Sequence, residues 1–148
     1  MYIKIVEIFL PLVQFILVFL HFYNFNIFKV LIIIDNFYLN LIGNILLIFG
    51  ILILLKSIYD LGLNISPFIK PRSNSNLIKK GIYSKLRHPM YFSLLIVSFS
   101  IFLKNISLYY FVILTALNFV LKIKIKLEEK YLLKRFKTYQ KYTEEVKY

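Results

Sequence analysis

The chain has 148 residues, a formal net charge of +12, 59% hydrophobic residues and no cysteine. A soluble domain is roughly 45–50% apolar, and here the excess is gathered into nearly charge-free runs, which argues for an integral membrane protein. Without cysteine there is no disulfide framework, thiolate nucleophile or thiolate metal site, and the two histidines, His21 and His88, lack ligand spacing, so no metal is expected.

Four apolar segments follow in chain order, each read as a helix because open strands in lipid leave backbone groups unsatisfied. The first spans about Ile3 to Phe22 and carries Glu7, which can snorkel to the headgroups, and His21, an interfacial or packing histidine. No small-residue cleavage site follows Leu20, so this helix is expected to be retained rather than removed as a signal peptide. The stretch from Tyr23 to Asn36 is too interrupted for a crossing and reads as an extension or interfacial segment. The second apolar segment covers about Tyr38 to Leu55. A loop rich in turn residues follows, with Gly62, Pro67, Pro71 and the run "SNSN". The third segment, about Met90 to Leu103, and the fourth, about Ser107 to Ile123, form a hairpin. The third is short for a full crossing, so the hairpin is expected to be tilted or partly inserted.

Local sterics are explicit at "LRHPMY", Leu86 to Tyr91. The residue before a proline avoids the helical region, and proline is favoured at the first helical position. His88 is therefore expected at the N-cap of the third helix, with Arg87 just outside. From Lys126 onward the tail reads as an amphipathic helix with Leu132, Phe136, Tyr139 and Val146 near one face and Tyr142 beside it. Glu128 and Glu129 would open that helix, where its dipole favours negative charge. Alternatively, one of the two carboxylates faces inward toward Arg87 and His88.

The positive charge falls in two groups, Lys70 to Arg87 and Lys122 to Lys141. In a soluble chain this would suggest nucleic acid. Beside membrane helices it reads as positive-inside orientation and attraction to anionic headgroups, with both basic regions and the amino terminus facing the cytoplasm. No nucleic-acid partner is expected.

The ordered motifs "NLIKKGIYSKLRHPMY", a helical hairpin and "KLEEKYLLKRFKTYQKY" resemble the isoprenylcysteine carboxyl methyltransferase and phospholipid methyltransferase superfamily. Upstream, "DLGLNISPFIKP" and, more weakly, Gln14 are similar to its bacterial isoprenylcysteine methyltransferase-like branch. The likeness covers about residues 41–147. It implies an all-α polytopic membrane protein of about four transmembrane helices with an amphipathic C-terminal helix, in a single domain over 1–148. It also implies S-adenosyl-L-methionine as methyl donor and a lipid or lipidated small-molecule or peptide as acceptor. By the same resemblance, Ser75, Asn76, Leu77 and Ile78 would line the cofactor site, mainly through backbone atoms. Tyr83, His88, Pro89, Tyr91 and Glu128 would complete it. Lys124 falls where eukaryotic relatives carry an arginine implicated in substrate binding, and Ser93 where relatives usually have glycine.

Those residue types suit the chemistry. A carboxylate can accept from the donor's amine or ribose hydroxyls, and tyrosine rings can face a sulfonium by cation–π attraction worth about 0.5–2 kcal/mol. Arg87 can pair with a carboxylate. A carboxylate acceptor, oriented by Lys124 or Arg87, needs no general base; an amine acceptor does, with His88 or a glutamate as candidates. The expected activity is carboxyl methylation of an isoprenylcysteine-like or other lipid-linked acceptor, with phospholipid amine N-methylation as the alternative. A different class is a non-enzymatic lipid-binding protein, with His88 interfacial, the tyrosines an aromatic belt and the glutamates a helix start. Convergence of Tyr83, His88, Tyr91 and Glu128 on one cavity separates the two classes.

Overall fold

The computed structural model describes residues 2–23 and 37–146. The interfacial stretch expected from Tyr23 to Asn36 lies, beyond Tyr23, outside them. The secondary structure of the described residues is helical, without a strand: α1 (Tyr2–Phe22), α2 (Phe37–Leu61), α3 (Pro89–Asn105), α4 (Leu108–Arg135) and α5 (Tyr139–Glu145). Among them, α2 with its short continuation to Asn64, and α4, are long and apolar enough to cross a membrane; the apolar stretches Val6–His21 and Pro89–Asn105 are shorter.

Helix α2 runs six residues past the expected Leu55, because Lys56 and Asp60 pair across one turn at 2.6 Å and carry the helix out of its apolar stretch. It packs along α3 through small residues. Gly43, Gly50 and Ser57 are buried on α2, facing a strip of α3 that includes the buried Ser93 and Ser100. A Cβ on Gly50 would lie 2.8 Å from Val97 Cγ2 and 3.3 Å from the Ser93 carbonyl. Ser57, Ser93 and Ser100 return their hydroxyls to carbonyls of their own helices, so the close approach leaves none of these three unpaired. Ser93 is tolerated because Gly50 lies opposite it.

Helix α1 packs on α4, with Leu10 and Val120 around Ile69, a loop residue that is 1% exposed. Glu7 does not reach freely for headgroups: Tyr131 donates its hydroxyl to it, tying α1 to α4. His21 is a packing histidine. The Leu17 carbonyl at 2.8 Å can only accept, so Nδ1 carries the proton and Nε2 accepts from Ser98 Oγ at 2.6 Å.

His88 does cap α3, at φ −127° and ψ 60°, with Pro89 in the first turn. Its carbonyl accepts from the Tyr91 and Phe92 amides, both at 3.1 Å. The α3–α4 hairpin turns at Ile106, whose φ of 29° is the left-handed conformation, and Ser107 caps α4.

The tail differs from expectation. Helix α4 continues unbroken for 28 residues to Arg135, so Glu128 and Glu129 lie about twenty residues inside it rather than at a helix start. The helix-dipole account of the pair therefore fails. The hydropathy changes near Lys122, but the i to i−4 bonding does not, because lysine and glutamate are good helix formers. The chain breaks instead at Phe136, and the separate seven-residue α5 folds back. The expected apolar face still forms: Tyr139, Tyr142 and Val146 bury against Leu132, Phe136 and Leu77.

Candidate functional site

A cavity of about 540 Å³ lies where α3, α4, α5 and the loop at 65–80 meet, with one wall reaching α1 and α2. The sequence-predicted residues Ser75, Asn76, Leu77, Ile78, Tyr83, Arg87, His88, Pro89, Tyr91, Lys124 and Glu128 all line it.

Each is placed by a local cause. Tyr83 sits on a 3₁₀ turn, Gly81–Ser84, that only glycine can open: Gly81 has φ +61°, and a Cβ there would run into the Asp60 carboxylate. That carboxylate accepts the Ile82 amide at 2.8 Å. Tyr142 then donates to the Tyr83 carbonyl at 2.6 Å, fixing the turn against α5. His88 and Tyr91, three residues apart across the start of α3, stack with ring centroids 5.7 Å apart and planes at 10°.

The adjacent glutamates, about 100° apart around α4, divide the work. Glu128 accepts from the Tyr91 hydroxyl and lies 3.7 Å from His88 Nδ1. Glu129 is 3.2 Å from His88 Nε2 and 3.3 Å from Arg87 Nη1. His88 is thus held between two carboxylates with its side chain only 12% exposed. Lys124, 2% exposed, donates to Gln14 Oε1 at 2.7 Å and to the Pro67 carbonyl at 3.1 Å, with its ammonium 5.0 Å from the Tyr91 ring centre. Two of its three donors are therefore engaged by described residues.

Burial pushes the Tyr83 and Tyr139 phenols far above the usual tyrosine range, Tyr83 further through Tyr142, Asp60 and Glu128 and Tyr139 through Glu129. Tyr142 is raised to about 12, again by burial, with Arg87 opposing. These three are neutral phenols at physiological pH, able to donate hydrogen bonds or present a ring face but not to act as bases.

Sequence reasoning left some participants without a place in the site. Both carboxylates turn inward, Glu129 to Arg87 and His88 as well as Glu128; Tyr139 and Tyr142, expected only on the apolar face of the tail, also line the cavity, as does Asn64, which no sequence signal marked. Gln14 had only a weak likeness behind it, though a glutamine inside an apolar helix was a signal of its own. The backbone of 75 and 76 is also less available than expected. The Ser75 amide is given to the Arg72 carbonyl at 3.1 Å and the Asn76 amide to Asn64 Oδ1 at 2.8 Å, so both serve the loop itself. Among the described residues no cluster of three or more metal-ligating side chains occurs.

Apolar helices closing over a ligand-sized cavity lined by paired charges and aromatic rings define a small helical membrane-type protein. A family model for phospholipid methyltransferases matches residues 38–139, more than two-thirds of the sequence, and the chain belongs to that family. Membership implies a membrane methyltransferase, S-adenosylmethionine as methyl donor in general, and a lipid-type acceptor. No curated protein matches the chain.

Proposed function

We propose that this chain is a single-domain integral membrane S-adenosylmethionine-dependent methyltransferase that methylates a lipid-linked carboxylate at its cytoplasmic face. The convergence of Tyr83, His88, Pro89, Tyr91, Lys124 and Glu128 on one cavity carries this reading. A charged helix start and an aromatic belt would not require those residues to meet, so the same observation weighs against a purely lipid-binding protein.

Four helices would span the bilayer. At 1.5 Å per residue the 28 residues of α4 measure about 42 Å against a hydrocarbon core of about 30 Å. If Leu108 lies at the far interface, the Glu128–Arg135 end emerges with the lysines on the cytoplasmic side. The site then sits at the boundary, reachable by a soluble donor from one side and by a lipid from the other.

The cavity's donor set fits the cofactor. Its volume lies within the roughly 300–1,000 Å³ of small-molecule pockets, and it offers a carboxylate for an amine or ribose hydroxyls and aromatic faces for adenine or a sulfonium. When bound, the cofactor supplies an electrophilic methyl group on a good leaving group. The protein's part is then orientation and exclusion of water, which can contribute up to about 7–11 kcal/mol. Glu128 and Tyr91 hold the donor side, with His88 and Arg87 fixed by Glu129. Lys124 would hold the acceptor side, with its third N–H available to an anion, while Phe15, Val18, Leu54 and Leu94 form an apolar wall for a chain. A buried ammonium attracts a carboxylate and repels a protonated amine or the cationic product of amine methylation, which favours the carboxylate acceptor.

The family's phospholipid description favours a second reading, amine N-methylation. In it His88, hydrogen-bonded to Glu129, takes the proton from the amine.

The decisive experiment is calorimetric titration of S-adenosylmethionine into the purified full chain in detergent, for wild type and Glu128→Ala. Binding by wild type with at least a tenfold loss in the variant, about 1.4 kcal/mol, is expected. Absence of binding by a folded wild type sinks the proposal.

A further inference from the structure

We infer that Arg135 is a positioning residue for the cofactor side of the cavity, acting through the stretch at 70–76 that it latches; the inference rests on the cofactor reading proposed above. Arg135 does not line the cavity. It sits at the last position of α4, two turns beyond Glu128 and on nearly the same side of the helix. From there its guanidinium donates to four backbone carbonyls of one stretch: Pro71 at 3.4 Å, Ser75 at 3.1 Å, and those of Arg72 and Ser73.

The stretch has little else to hold it. Between Ser66 and Lys79, among the described residues, the backbone makes one hydrogen bond to itself outside helices, from the Ser75 amide to the Arg72 carbonyl. Apolar anchors stand at its two ends, Ile69 buried between α1 and α4, and Leu77 packed on α5. All four carbonyls bound by Arg135 lie between those anchors. The other ties also run through side chains: Lys124 reaches the Pro67 carbonyl at 3.1 Å, Arg72 the Leu63 carbonyl at 3.3 Å and Lys79 the Thr138 carbonyl at 3.0 Å, Asn64 receives the Asn76 amide at 2.8 Å, and the Ser66 and Ser75 hydroxyls bond within the loop. From 71 to 75, among the described residues, only Arg135 joins the backbone to a helix. Pro71, Ser75, Asn76, Leu77 and Ile78 face the cavity, so the latch sets the shape of that wall. A fork of five donors suits several converging carbonyls, whereas a lysine ammonium has only three donors on a point charge.

Removing the latch therefore loosens the 71–78 wall of the cavity and leaves Tyr83, His88, Tyr91 and Glu128 in place. Arg135→Met keeps an apolar stem and deletes every donor, together with the guanidinium's contact on the Phe136 ring. The test is S-adenosylmethionine and S-adenosylhomocysteine titration of the full chain in detergent, together with amide hydrogen exchange of the ligand-free protein. We expect Kd for both probes to rise at least tenfold in Arg135→Met and less in Arg135→Lys, with exchange accelerated over residues 71–78 and unchanged in α2 and α3. A role in general stability would instead raise exchange throughout. Wild-type binding with unchanged Kd or unchanged exchange at 71–78 in a folded Arg135→Met overturns the latch and leaves the cofactor site standing. Failure of wild type to bind overturns the underlying reading itself. Should Arg135→Met not fold, Arg135→Lys, which keeps the charge and loses the fork, is read in the same two assays, and unchanged Kd or unchanged exchange at 71–78 in it overturns the latch.

Discussion

Replacing Gly50 by alanine sets two effects of known sign against each other. In an isolated helix the change gains about 0.8–1.0 kcal/mol. In this helix the new Cβ meets Val97 Cγ2 at 2.8 Å, Ile96 Cγ2 at 3.1 Å and the Ser93 carbonyl at 3.3 Å. Carbon atoms rest near 3.5–4.0 Å, so α2 must withdraw from α3 by roughly 1 Å or the valine must leave its rotamer. Overpacking of this kind costs about 1–3 kcal/mol, and withdrawal also strips contacts at Gly43 and Ser57, which share the seam. The net expectation is a destabilisation of about 1 kcal/mol. Equilibrium unfolding of the purified chain in mixed micelles measures it, within a double-mutant cycle with Val97→Ala. Truncating Val97 removes the closest contact, so Gly50→Ala should become neutral or stabilising in that background. A stabilised Gly50→Ala single variant, or a cost unchanged by Val97→Ala, would refute the claim that this seam is packed to contact.

Gly81→Ala faces left-handed strain of about 1–2 kcal/mol as well as the Asp60 carboxylate; its cost in the same unfolding assay should shrink, without vanishing, in an Asp60→Ala background. Lys124→Met should lower kcat/KM for an anionic lipid-linked acceptor on the order of 10- to 100-fold, the worth of a charge-assisted hydrogen bond, while leaving S-adenosylmethionine affinity nearly unchanged; an amine acceptor would show no such loss. Tyr142 has a folded-state pKa of about 12, above the roughly 10 of an exposed tyrosine. Its protonated form is therefore the native one, and its contribution is complete below pH 10 and lost as pH rises through 12. Unfolding followed against pH should show wild type weakening across that window and Tyr142→Phe weakening less.

What was legible beforehand divides by range. Runs of apolar residues identify helices by length, and the α1 to α4 cores lie where those runs fall. The geometry at His88 follows from Pro89 alone, since proline's ring restricts its neighbour wherever the chain goes. Gly81 could be noticed as part of a motif, but its reason, a positive φ under the Asp60 carboxylate, comes from a residue twenty-one positions earlier. Glu128 and Glu129 show the boundary most clearly. Their pattern at the head of a charged tail is the pattern of a helix start, and hydropathy alone cannot distinguish a new helix from an old one leaving lipid.

The sequence by itself determined the helical, membrane-type class and the ordered motifs that place this chain in a methyltransferase family, because those depend on composition, local sterics and spacing along the chain. The tertiary structure decided which partners the motifs meet. Gln14 reaches Lys124 across 110 positions, Glu7 reaches Tyr131 across 124, and Arg135 gathers carbonyls some sixty residues away. Such pairings arise when packing brings distant segments within hydrogen-bond range, and no periodicity in one segment records where another will lie.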